Sequence, residues 1–186
     1  MRRDVLHKKI AMKTLFLMRH GKAVQDDSVE NDHERSLTPR GVRAARRVGR
    51  AIAKDGLRPD FFLCSSARRT VETLDVVADV FSFAKAPILQ EPQLYLCGCN
   101  VLFDRVQALP EQYNSVMVVG HNPDVHLLSQ LLIHSGDAGL MESLLRKFPT
   151  AGCAVLMFSV EQWREIAPYT GRFVQFYQPK ALDAES

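Results

Sequence analysis

Short apolar runs alternate along the chain with polar-and-apolar stretches of helical period. Thr14-Leu15-Phe16-Leu17-Met18, Phe61-Phe62-Leu63-Cys64 and Val116-Met117-Val118-Val119 read as buried strands. After the first, a long polar segment runs through Gln25-Asp26-Asp27-Ser28 and Glu30-Asn31-Asp32-His33-Glu34-Arg35, as expected of a loop at a crevice mouth. Thr38-Pro39 then has the signature of an N-cap with proline in the first turn. Val42, Ala45, Val48, Gly49 and Ile52 follow at helical spacing, and Gly56 marks the stop. Ser65 to about Phe83 predicts a second helix, with Val71, Leu74, Val77 and Ala78 inward. Pro87-Ile88-Leu89 predicts a short strand, Val101 to Leu109 a helix ended by Pro110, and Pro123 to Ile133 another helix. Ser135 to Gly139 reads as a surface loop, and Gly152–Phe158 and Arg172–Phe176 as late strands, the last an antiparallel edge.

Strands separated by helices imply an α/β fold: three layers, α/β/α, with a mostly parallel sheet, helices on both faces and one antiparallel edge strand. At 186 residues the chain is most simply one domain. The expected boundaries are an N-terminal extension at 1–11, a single domain at 12–180 and a tail at 181–186. The apolar fraction of 46% and charged fraction of 24% are those of an ordinary globule. A net charge of +3 gives no reason to expect nucleic acid. No apolar run reaches the ~20 residues of a membrane span, and Met1 to Ala11 lacks the apolar core of a signal peptide. Four cysteines form no disulfide framework in a chain of this size, so a cytoplasmic location is expected. A monomer is expected too.

The chemistry gathers at strand ends. Arg19-His20-Gly21 follows the first run directly, and Gly120-His121-Asn122-Pro123 follows the third. In an open α/β sheet, ligands bind outside the carboxyl ends of the strands, so both histidines are expected in one crevice. Cys64-Ser65-Ser66-Ala67-Arg68-Arg69-Thr70 follows the second run and opens a helix, whose free N–H groups favour an anion. An arginine fork matches phosphate oxygens in bidentate fashion. A neutral imidazole is a nucleophile when its other nitrogen is held by a hydrogen bond.

Arg19-His20-Gly21, Ser65-x-x-x-Arg69-x-x-x-Thr73 and Gly120-His121, in that order, resemble the histidine phosphatase superfamily, also called phosphoglycerate mutase-like. The opening Arg19-His20-Gly21-Lys22-Ala23, the stretch Asp32-His33-Glu34-Arg35-Ser36-Leu37-Thr38-Pro39-Arg40-Gly41, the stretch Val119 to Pro123 and Phe148-Pro149-Thr150-Ala151-Gly152 are similar to its small SixA-type phosphohistidine phosphatase branch. The likeness runs from about Met12 to Lys180. It implies that His20 attacks phosphorus, that Arg19, Arg69 and His121 clamp the phosphoryl oxygens, and that water later frees the phosphate. Gly21, Ser65 and Asn122 are expected at the substrate. No cofactor and no metal is implied, because cationic side chains take that part.

One departure shapes the expected substrate. Larger members place a proton-donating carboxylate between the second arginine and the second histidine, where this chain reads Glu91-Pro92-Gln93-Leu94-Tyr95-Leu96-Cys97-Gly98. An alkoxide leaving group needs a proton in the transition state, whereas imidazole can be protonated beforehand by solvent. Phosphohistidine in a protein is therefore the expected substrate, although Asp26, Asp27 or Glu91 could supply a proton. The alternatives are a small phosphorylated metabolite as substrate, or a phosphate-recognition protein without turnover. Blander readings cover other residues. Arg68 is expected in solvent, Ser65 as a helix cap, and Thr73 as a support for Arg69. Cys97 and Cys99 read as loop thiols, His126 and His134 as structural, Arg43, Arg46, Arg47 and Arg50 as a solvated helix face, and Trp163 as core or edge packing.

Overall fold

The computed structural model describes residues 12–25, 31–81 and 86–183. In chain order its elements are β1 (Lys13–Arg19), α1 (Pro39–Lys54), β2 (Phe61–Ser65), α2 (Arg68–Val80), β3 (Ile88–Glu91), α3 (Cys99–Gln107), β4 (Ser115–Gly120), α4 (Asp124–Leu132), β5 (Ile133–Gly136), α5 (Ala138–Arg146), β6 (Cys153–Phe158), β7 (Gly171–Tyr177) and α6 (Pro179–Asp183). One seven-stranded sheet runs β3-β2-β4-β1-β6-β7-β5. β3, β2, β4 and β1 are mutually parallel, β6 runs antiparallel to β1 and β7, and β5 lies parallel to β7. Among the described residues, no helix is long and apolar enough to cross a membrane.

Side chains of a strand alternate between its two faces, so the continuous apolar runs feed two cores at once. Phe16 and Met18 of β1 pack with Ala45, Val48 and Ile52 of α1 and Leu74 and Val77 of α2. Leu15 and Leu17 face the other way, onto Val125, Leu128 and Leu132 of α4, Leu102 and Val106 of α3, and Trp163. The result is the expected three layers. Lys13 opens β1 fully buried; its ammonium donates to Glu111 O, Tyr113 O and Asn114 Oδ1 at 2.9–3.0 Å and lies over the Trp163 ring. Three donors matched by three oxygens meet the condition for burying a charge.

The structure corrects three expectations. β7 is neither an edge, because β5 covers it, nor opposed to the main set: the interior β6 runs against β1, and β7 runs with β1 again. β5 escaped notice because Ile133-His134-Ser135-Gly136 is mostly exposed and has no apolar pattern. The segment read as a surface loop instead ends β5 and starts α5, capped where the Asp137 carboxylate accepts from Leu140 N at 2.9 Å. α2 begins at Arg68 rather than Ser65, since β2 continues through Ser65 in register with Glu91 of β3. The C-terminal helix α6 runs to Asp183, and residues 1–11 lie outside the described residues.

The first turn of α1 carries the loop after β1. Thr38 caps the helix through Oγ1, which accepts from Gly41 N at 3.0 Å, and its own N–H and hydroxyl both donate to Lys22 O. This draws helix and loop so close that a Cβ on Gly41 would stand 2.3 Å from Lys22 O. Gly41→Ala therefore gains helix propensity of about 1 kcal/mol but forces backbone apart. We expect a net loss of about 2 kcal/mol and a melting temperature lower by about 4–8 °C, measured by thermal denaturation.

Candidate active site

Strand register puts the chemistry in one line. Arg19 of β1 is level with Gly120 of β4, and Cys64 of β2 is level with Val119. One step beyond, His20, His121 and Ser65 stand side by side at the carboxyl edge of three adjacent parallel strands. His20 N–H donates to Gly120 O at 3.1 Å, and His20 O accepts from Ala151 N at 2.9 Å. The two imidazole centroids are 5.4 Å apart.

His20 is held in one orientation. Its Nδ1 lies 2.7 Å from Gly21 O, and a carbonyl can only accept, so Nδ1 carries the proton and Nε2 keeps its lone pair. Gly21 is fixed in turn, because its N–H donates to Thr73 Oγ1 at 2.9 Å and that hydroxyl donates to Arg69 O at 2.6 Å. Gly21, expected at the substrate, thus has its carbonyl turned to His20 and its amide to Thr73. Thr73 joins the β1 loop to α2 rather than bracing the Arg69 side chain.

His121 is buried, and its Nε2 meets Ser65 Oγ at 2.8 Å. Ser65, expected as a helix cap, is instead the last residue of β2, and α2 starts without a side-chain cap. Asn122 Nδ2 donates to Phe148 O at 3.2 Å, and Arg19 donates to the same carbonyl at 2.9 Å. The loop after α5 is thereby tied to the ends of both β1 and β4.

Arg69 is buried, while its neighbour Arg68 is exposed and paired with Glu72. Arg69 donates to Asp32 O at 2.6 Å and Asp32 Oδ2 at 2.9 Å, which uses two of its five N–H groups and leaves three. Arg35 pairs with the other Asp32 oxygen, and the Tyr95 hydroxyl donates to Asp32 Oδ2. The Tyr95 ring stands edge-on to His121 at 5.3 Å, and the Arg69 guanidinium sits 5.6 Å from its centre. The Tyr95 hydroxyl, with help from Arg35 and Arg69, holds the Asp32 carboxyl far below its ordinary range.

Asp32 and Tyr95 received no role from sequence. Asp32 lay in a stretch read as loop, but Asp32–Glu34 forms a short 3₁₀ turn capped by Asn31. Tyr95 follows another such turn, Pro92–Leu94, in the segment scanned for a carboxylate. There, Glu91 is held bidentately by Arg105, Gln93 is exposed and Leu94 joins the core. Asp26 and Asp27 lie outside the described residues.

Both histidines are neutral over the working range of pH. Burial pulls His20 down to about 4, and the charges of Arg69, Arg19 and Arg35 add to this against the opposing pull of the Gly21 carbonyl. Burial and the neighbouring His20 and Arg69 pull His121 down to about 3. Among the described residues, three buried side-chain polar atoms have no hydrogen-bond partner: Arg19 Nε, His121 Nδ1 and Asn122 Oδ1. All three belong to residues at these strand ends. Such groups call for a polar partner, water or ligand, at this place, because unsatisfied buried polar groups are costly and rare in folded proteins. Arg19 stays cationic although burial lowers its pKa.

A family model for the histidine phosphatase superfamily (branch 1) matches residues 15–95. An uncharacterized protein of Mycobacterium tuberculosis is 31% identical over 165 residues, spanning 88% of this chain and 100% of its own length. Among solved structures, a SixA from Nakamurella multipartitia, named for phosphohistidine phosphatase activity, superposes with a TM-score of 0.77. It is 29% identical and covers 90% of this chain and 96% of its own. The protein histidine phosphatase SixA complexed with tungstate gives 0.72 at 25% identity, over 91% and 99%. Three strand-end motifs in register, a family-model match and full-length likeness to SixA structures agree: this chain belongs to the histidine phosphatase superfamily, in its SixA-type branch.

Proposed function

We propose that the protein is a metal-independent phosphatase that forms a phosphoenzyme on His20 and acts on phosphohistidine in a protein substrate. The observation that carries this reading is the pair of neutral imidazoles 5.4 Å apart, with His20 Nδ1 committed to Gly21 O. The Nε2 lone pair attacks phosphorus, and the bond from phosphorus to the substrate's imidazole breaks as that ring leaves protonated. The positive charge arising on His20 is spread to Nδ1–H and met by the Gly21 carbonyl. Arg19 and the remaining N–H groups of Arg69 draw charge from the equatorial oxygens, where phosphoryl transfer is stabilised. If Ser65 Oγ–H donates to His121 Nε2, the His121 proton resides on Nδ1, the atom without a partner, and is available to a phosphoryl oxygen. Water then attacks the phosphoenzyme, inorganic phosphate departs and neutral His20 is restored. The tungstate in the related SixA structure, a tetrahedral oxyanion, supports the reading.

The substrate preference rests on Glu91. Its bidentate pair with Arg105 removes it as a proton donor, which favours the better imidazole leaving group over an alkoxide. Four free thiols support a reducing, cytoplasmic setting.

Turnover of a phosphohistidine protein should fall by a factor on the order of 10³ or more in His20→Ala. His121→Ala should accumulate an acid-labile phosphoenzyme, seen by mass spectrometry; normal turnover by His20→Ala would end the mechanism. Assayed side by side, phosphohistidine should be hydrolysed faster than small phosphomonoesters, and the reverse order would favour a metabolite phosphatase. A third expectation concerns pH. Because the folded pKa of His20 lies below its unfolded value of about 6.5, the unfolded chain binds the proton first as pH falls. NMR titration of the free protein should place His20 near 4, and stability should decline as pH drops from about 6.5 toward 4, with His121 carrying the decline on toward about 3. A His20 midpoint near 6.5 would contradict the buried, neutral nucleophile.

A further inference from the structure

Arg19 borders a second recess, of about 360 Å³, whose other cations are Lys22, Arg40, Lys147 and Lys180. They come from four separate places: the loop after β1, the first turn of α1, the residue after α5, and α6. Among the described residues, no carboxylate lines the recess. Elsewhere Arg35, Arg68, Arg105 and Arg146 each have a carboxylate partner. Among the described residues, Lys22, Arg40, Lys147 and Lys180 have no side-chain ion pair or hydrogen bond. With a net charge of only +3, the chain has no general excess of cations to explain five at one concavity. Like charges brought together without counter-ions repel one another, and a concave surface focuses their field on an incoming anion.

The recess shares a wall with the histidine site. Pro149 and Thr150 line it, and the same loop gives Phe148 O to Arg19 and Asn122 and Ala151 N to His20 O. Arg19 is thus common to the recess and to the strand-end site. We infer that this recess is a second anion subsite, which takes a carboxylate or phosphate carried by the same substrate that presents its phosphoryl group to His20. The inference rests on the phosphatase reading and adds a substrate requirement to it: a second negative charge close to the phosphorylated atom. That charge can come from an acidic side chain flanking phosphohistidine in a protein, or from a second acidic group of a small phosphorylated molecule.

The test uses the Lys147→Ala/Lys180→Ala double variant and Arg40→Ala, which change the recess and leave Arg19, His20, Arg69 and His121 intact. Four substrates are compared: phosphoramidate, which lacks a second acidic group, phosphohistidine peptides with acidic or neutral flanks, and a carboxylate-bearing phosphomonoester. The wild-type protein should prefer the acidic peptide. The variants should raise KM for it about 3- to 10-fold with kcat unchanged, leave phosphoramidate turnover as it was, and respond less to added salt. A larger effect on the peptide assigns the subsite to protein side chains, and a larger effect on the monoester to small molecules. Failure of wild type on phosphoramidate and phosphohistidine alike would count against the phosphatase reading alone. Equilibrium binding of the two peptides to His20→Ala protein decides the subsite separately. Equal affinity for acidic and neutral peptides, or an acidic preference that survives the double variant, would overturn it.

Discussion

Parallel pairing of β1 with β4, with Arg19 level with Gly120, is the constraint on which the site depends. A slip of one residue would exchange Leu15 and Leu17 with Phe16 and Met18 between the two cores and spoil the packing of both. The hydrophobic effect therefore holds the register, and the register sets His20 beside His121. Polar positioning at the sheet edge is stabilised by apolar packing well inside the molecule. The bond from His20 N to Gly120 O extends that pairing one residue past the strand and carries the backbone into the site.

Around this edge, the polar side chains are oriented through backbone. Gly21 O holds His20, Gly21 N is held by Thr73, and Thr73 is bonded to the backbone of Arg69. His20 and Arg69 are thus linked through α2. On the other side, Phe148 O receives both Arg19 and Asn122. Carbonyls and amides on packed elements move little, so the site is largely organised before substrate arrives, as electrostatic stabilisation requires. Asp32 adds a negative group among Arg35, Arg69 and the depressed histidines, fixing the plane of Arg69 while leaving most of its donors free.

The same loops shape what lies next to the site. The short connection after α5 ends in Gly152, where a Cβ would stand 2.9 Å from Pro149 O, so the turn closes tightly under the Arg19 carbonyl-anchored side chain. That turn separates the histidines from the cationic recess, and Arg19 belongs to both. A phosphoryl group and a second anion on one ligand would thus be read by neighbouring walls of one surface. Specificity of this kind comes from charge placement rather than from a deep apolar pocket.

Much of this was legible in residue order. The apolar runs gave β1, β2 and β4, Thr38-Pro39 gave the start of α1, and motifs after three strands gave Arg19, His20, Arg69 and His121 as neighbours. Such signals are local: a cap, a period or a strand end is written in consecutive residues. β5 and α5 were missed because β5 is an exposed four-residue edge and α5 buries only Leu144 completely, so neither carries a strong apolar pattern. Ser65 passed for a helix cap because a serine before a helix looks the same whether the strand stops before it or runs through it. Asp32, Tyr95 and the lysines of the recess acquire meaning only through partners far away in the chain, such as Arg69 for Asp32 or Arg19 for Lys180. Sequence by itself determined which chemical groups the sheet would present at its carboxyl edge; tertiary packing alone decided which polar groups meet them, because hydrogen bonds and fields act across space and leave no periodic trace along the chain.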